Sequence, residues 1–163
     1  MVVGEDDIVY HLGDFGNWKW DDVKDIYARL NGNIILIKGS HDHHSIREHI
    51  TWVPYLTLNI GPYHCLLHHK PIWEFRSKEN RAAPKSDYDS EFSSEVFKSE
   101  KYDFVLCGHC HDLWKIDGRN INLSVENIGY KPLSELGVLS MISRYTGGST
   151  KTFISGAAPV YSK

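Results

Sequence analysis

The sequence has 163 residues, of which 41% are hydrophobic, 12% aromatic and 24% charged. This is enough for one domain with its own core, and it excludes a disordered, collagen-like or coiled-coil chain. A net charge of −3 without any polybasic run argues against a membrane-surface protein, and against nucleic acid other than as a substrate. No apolar stretch approaches the roughly 20 residues of a membrane span. Met1 to Asp7 lacks the basic start and apolar centre of a signal peptide, so a cytoplasmic protein is expected. Three cysteines, an odd number, are then expected as reduced thiols. The unusual feature is ten histidines, at positions 11, 41, 43, 44, 49, 64, 68, 69, 109 and 111, clustered along the chain.

Asp7 to Leu12 is β-branched and aromatic and breaks at Gly13-Asp14-Phe15-Gly16, which predicts a strand entering a loop. A helix of about ten residues follows, with Asp21 and Asp22 in its first turn and Val23, Ile26, Tyr27 and Leu30 at helical spacing. Asn33 to Lys38 is a continuous apolar run, as in a strand buried on both faces of a parallel or mixed sheet. Ser45 and Glu48 form a capping-box pattern for a short helix. Tyr55 to Ile60 and Tyr63 to His68 are predicted strands across Gly61-Pro62. Residues 74–103 are polar and aperiodic, an expected insertion or lid with a short helix over Glu91 to Lys101. Asp103 to Cys107 restores a buried strand, and Trp114 to Asp117 and Asn120 to Val125 form a hairpin across Asp117-Gly118. Ser134 caps a last helix through Leu136, Leu139, Met141 and Ile142, and residues 146–163 are expected to fray. The expected organisation is thus one domain over residues 1–145 with a flexible tail.

Three predicted strands end in glycine followed by metal-ligand residue types: Gly13-Asp14, Gly39-Ser40-His41-Asp42 and Gly108-His109-Cys110-His111. A fourth ends in His68-His69-Lys70-Pro71. In sheets built from strand, helix, strand units, ligands bind beyond the carboxyl ends of the strands, so these segments can converge. Imidazoles and carboxylates together suit Zn²⁺, Mn²⁺ or Fe, and a pair of such ions can clamp a phosphoryl group and deliver hydroxide to it. His11, His49 and His64 read as packed or surface side chains. His43 and His44, being adjacent, read as solvated, near enough for His43 to touch a substrate. Cys107-x-x-Cys110 is a weak zinc or redox signal whose spacing is coincidental with the histidine motif.

The sequence resembles the calcineurin-like metallophosphoesterases, in particular their small bacterial and phage-type members. The likeness rests on Asp7 to Phe15, Leu30-Asn31-Gly32 through Ile37 to Asp42, His69-Lys70-Pro71, Gly108 to His111, and Asn122 to Glu126 followed by Tyr130-Lys131-Pro132. It implies an α/β fold, a two-sheet sandwich flanked by helices (α-β-β-α), with one or two divalent ions at the strand ends. Mn²⁺ is the ion first expected, with Zn²⁺, Fe or Ni²⁺ as the others. A metal-dependent phosphoesterase hydrolysing a phosphate mono- or diester through a metal-activated water is the activity implied.

Carried over by position, Asp14 resembles the carboxylate that bridges both ions, and Ser40 stands where the family has an asparagine ligand. His41 matches the histidine that contacts the scissile phosphate or protonates the leaving group, and Asp42 the acid that orients it. His69 is preferred to His68 as the next ligand because it lies two residues before proline. His109 and His111 match the final pair, one on each ion. The family's opening strand, which ends in an Asp-x-His motif, has no counterpart before Asp14, so the sandwich is expected to lack its first strand and the first ion two of its ligands. The alternative reading is therefore a truncated or degenerate member acting as a non-catalytic metal-binding or interaction module.

Overall fold

The computed structural model describes residues 2–72 and 102–146. The predicted lid and its helix, apart from Tyr102 and Asp103, and the tail from residue 147 lie outside these residues. The chain forms two sheets. The first has the order β1 (Ile8–His11), β2 (Asn33–Ile37), β3 (Trp52–Val53), all parallel. The second has the order β4 (Leu56–Ile60), β5 (Tyr63–Leu67), β6 (Phe104–Cys107), β8 (Asn120–Asn122), β7 (Ile116–Asp117). Here β5, β6 and β8 run parallel, while β4 and β7 close the edges as antiparallel hairpins. Two helices, α1 (Trp20–Tyr27) and α2 (Glu135–Tyr145), and a 3-10 turn over His44–Glu48 complete the described elements.

The period of two along each strand sorts side chains into three clusters. Tyr63, Cys65 and Leu67 of β5 and Phe104 and Leu106 of β6 face Ile37 of β2 and Val138 and Ile142 of α2, with Tyr10 and Leu12 packed against them. This is the layer between the sheets. On the other face of the first sheet, Val9, Ile34 and Leu36 meet Val23 of α1 and Ile46 of the 3-10 turn. On the far face of the second sheet, Leu66, Val105 and Cys107 meet Ile72 and Tyr102. The expected two-sheet sandwich is what forms. In it, β1 pairs only with β2 among the described residues, and Ile8 is 46% exposed at that edge.

Some expectations differ in detail. The first helix ends at Tyr27, and Ile26 and Leu30 stay exposed because the short helix meets the sheet mainly through Val23. Ser45 forms no capping box; it lies inside the 3-10 turn, where the side chain of His43 accepts the N–H of Ser45 and the Ser45 hydroxyl accepts the N–H of Trp20. The two-residue strand β3 went unread because so short a run has no period. All three cysteines are buried thiols outside any disulfide.

Candidate metal centre

The carboxyl ends of β1, β2, β5 and β6 meet at one rim of the sandwich, where close backbone approach is made by glycine. Gly13 has φ +91°, and a Cβ there would fall 2.5 Å from His69 Nδ1 and 2.6 Å from Gly39 Cα. A Cβ on Gly39 would in turn fall on the backbone N and the carboxylate of Asp14. The first two strand ends are therefore stacked at a spacing that no larger residue permits.

Asp14 (φ 55°), His109 (φ 63°) and His111 (φ 46°) are all left-handed. For a residue with a Cβ this costs on the order of 1–2 kcal/mol, and three such residues at one rim mark a built site.

The donor atoms of Asp14, His69 and His109 lie within 4.8 Å of one another. His69 is 3% exposed. Its Nδ1 is 2.8 Å from the carbonyl oxygen of Leu12, to which it donates, so in the neutral ring, the form that ligates a metal, the lone pair is on Nε2. That lone pair lies 3.3 Å from Asp14 Oδ2 and makes no hydrogen bond among the described residues. A buried imidazole nitrogen facing a carboxylate is satisfied by a cation or a proton between them, and a histidine fixed through its other nitrogen to a carbonyl is the usual arrangement of a metal ligand. The rings of His69 and His109 are in edge contact at 5.0 Å. The residues present thus fit a divalent ion.

The other residues singled out in the sequence take different places. Asp42 touches the site through its carboxylate, which accepts the backbone N–H groups of Asp14 (3.2 Å), Phe15 (2.6 Å) and Gly39 (2.7 Å). His41 is exposed, and its backbone N–H donates to Asp14 Oδ1 at 2.8 Å. Ser40 is exposed beside it, outside the three-donor group. His111 is also outside that group and exposed, with Nδ1 donating to Glu126 Oε1 at 2.8 Å. This bond raises the His111 pKa and lowers that of Glu126. His43 stacks its ring near His44 at 4.2 Å. His68, the alternative ligand, donates instead to the carbonyl of Lys70 (2.7 Å), and burial pushes its pKa down to about 4. Partly buried His11 lies near Asp14 and Asp42, and desolvation lowers its pKa.

Sequence reasoning missed the supports. Asn122, fully buried in β8, donates to the carbonyls of His111 and Trp114, both at 2.8 Å, and Asn127 bonds the same two carbonyls. Glu126 orients His111 as the Leu12 carbonyl orients His69. Asn122 and Glu126 lie in a stretch that carries the family resemblance, but nothing in the sequence assigned them these bonds.

Residues 2–129 match the model of the calcineurin-like phosphoesterase superfamily domain. The chain belongs to that superfamily. Among solved structures it is similar to AQ665 of Aquifex aeolicus, described as a protein of unknown function, with a TM-score of 0.62 and 28% identity over 86% of this chain and 78% of that one. A second, described as a novel archaeal phosphodiesterase, gives a TM-score of 0.39 and 21% identity over 72% of this chain and 67% of that one. No curated protein matches the chain. Superfamily membership accords with the metal-ligand chemistry of the rim. No helix among the described residues is long and apolar enough to cross a membrane.

Proposed function

We propose that this superfamily member is a metal-dependent phosphoesterase whose centre is built on Asp14, His69 and His109. The observation that carries this reading is the buried His69 Nε2, which makes no hydrogen bond among the described residues and lies 3.3 Å from the part-exposed Asp14 Oδ2. A bound divalent ion supplies Lewis acidity and a water acidic enough to act as hydroxide near neutral pH. Mn²⁺ is the ion proposed first.

The chain's own residues do the rest. Asp14 keeps Oδ2 toward the ion site while Oδ1 takes the N–H of His41. That bond anchors the loop carrying His41, which is exposed where a phosphate ester would approach and is proposed to contact it and hand a proton to the leaving oxygen. Asp42 holds the turns of β1 and β2 together, and so positions both His41 and Asp14. Ser40 is proposed as a further ligand on the ion of His69 and His109, and His111, steered by Glu126, as a ligand of the other ion.

The test is hydrolysis of an aryl phosphate and of a bis-aryl phosphate with added Mn²⁺. Turnover should fall at least a hundredfold in Asp14→Asn and His109→Ala. Hydrolysis unchanged in both variants would reject the assignment.

The three grouped donors serve a single ion, and this favours one other reading, a non-catalytic metal-binding module. One bound metal per chain with no turnover under any divalent ion would establish it.

A further inference from the structure

A cleft of about 650 Å³ opens between the start of α1 and the 3-10 turn, lined by Lys19, Trp20, His43, His44, Ser45 and His49. The chain connects it to the metal centre. His43 follows Asp42, whose carboxylate holds Asp14 and Phe15, and its own N–H donates to the carbonyl of Gly16 at 3.2 Å.

A hydrogen-bond chain sets the tautomer of His43. Its Nδ1 accepts the N–H of Ser45 (3.2 Å) and lies 2.8 Å from the Ser45 hydroxyl, which accepts the N–H of Trp20 (3.0 Å). An accepting Nδ1 carries no proton, so the ring proton sits on Nε2 as a donor. That N–H has no partner among the described residues, and His43 lines the cleft.

The charges point the same way. Lys24 and Asp21, both on the cleft wall, are tied to each other at 3.0 Å, whereas Lys19 makes no ion pair among the described residues. Glu48 also lines the cleft; it is exposed, as Lys19 is, so solvent screens both charges and the two keep separate positions on the wall. The aromatic rings are already partnered, Trp20 stacked on His49 at 4.6 Å and His43 against His44 at 4.2 Å. The unmet groups are thus an ammonium and an imidazole N–H. Together they suit an oxyanion.

We propose that this cleft is a subsite for a second phosphate of the substrate, so that the ester hydrolysed at the metal centre has a body carrying another phosphate group. The inference rests on the phosphoesterase reading, and its test needs no turnover. Pyrophosphate is titrated calorimetrically into the metal-free full chain in the presence of a chelator. One site should bind, with Kd raised about tenfold by Lys19→Met and by His43→Gln, and unchanged by Lys115→Met, an exposed lysine beside the other sheet.

Absence of binding overturns the subsite. So does equal weakening by Lys115→Met, which would mean diffuse surface charge, or binding of uncharged adenosine in place of pyrophosphate, which would mean a stacking pocket. If pyrophosphate binds as expected while Asp14→Asn hydrolyses aryl phosphate like the unaltered chain, the subsite stands and the metal-centre assignment fails.

Discussion

His69 Nε2 lies 3.3 Å from Asp14 Oδ2 while its other ring nitrogen is committed to the carbonyl of Leu12, so in the neutral ring a buried nitrogen lone pair confronts a part-exposed carboxylate where the turn after β1 meets the end of β5. The pairing makes sense of the left-handed Asp14 and of the glycines around it, because each brings this carboxylate to this imidazole.

A consequence for stability follows. Adding Mn²⁺ at about a hundred times its Kd should stabilise the chain by about 2.7 kcal/mol, a rise in Tm of about 5–10 °C for a chain of this size. His69→Ala should abolish that rise. Asp14→Asn should abolish it too, yet leave the metal-free protein as stable as before or up to about 1 kcal/mol more so, because an amide N–H can donate to the Nε2 lone pair. Thermal unfolding with and without metal decides the matter; an Asp14→Asn chain that still gains stability from Mn²⁺ contradicts the assignment.

Asp42 and His41 are neighbours with opposite duties. The Asp42 carboxylate accepts three backbone N–H groups from the turns after β1 and β2, whereas the His41 side chain is exposed. Asp42→Asn exchanges one accepting oxygen for a donor facing a donor and should cost about 2–3 kcal/mol, with weaker metal binding although no ligand is lost. His41→Ala should change stability by less than about 0.5 kcal/mol while reducing hydrolysis. Urea unfolding of the two variants separates the roles, and equal midpoints would show that Asp42 does not hold the turns.

The comparison of these two residues shows what was legible in the sequence. Strand ends were readable because a buried apolar run, a glycine and a ligand residue type occur together, and that pattern led to Asp14 and His109; His69 follows a strand with no such glycine and was preferred to His68 only on the family resemblance. The duty of Asp42 was not readable, since its partners are backbone N–H groups of residues 14, 15 and 39, fixed only once β1 and β2 pair in parallel. Ser45 misled for the same reason: a capping motif is a local pattern, but its hydroxyl is taken by Trp20, 25 positions away. The buried Asn120 and Asn122 read only as residues of a predicted strand, with no partner assigned. In the fold they are interior staples, Asn120 bonding both the N–H and the carbonyl of Ile72. Periodicity reports which side of an element is buried; it does not report which polar group waits there.

Acid should destabilise the metal-free protein through buried histidines. Burial lowers the pKa of His68 from 6.5 to about 4 and also lowers that of His11. The folded chain therefore binds fewer protons than the unfolded one below pH 6.5, so this stabilisation is fully present above about pH 6.5 and is lost as pH falls toward 4. At about 1.4 kcal/mol per pKa unit the His68 share is on the order of 3 kcal/mol. His111 works in the opposite sense, its raised pKa adding stability at low pH, but it is exposed and solvent screens its bond to Glu126. Unfolding free energy measured by urea with chelator present should thus drop between pH 7.5 and pH 4.5. His68→Gln, which keeps a donor for the Lys70 carbonyl but cannot titrate, should remove a large part of that drop. A drop of the same size in the variant would place the acid sensitivity elsewhere than in the half-buried histidine beside the metal centre.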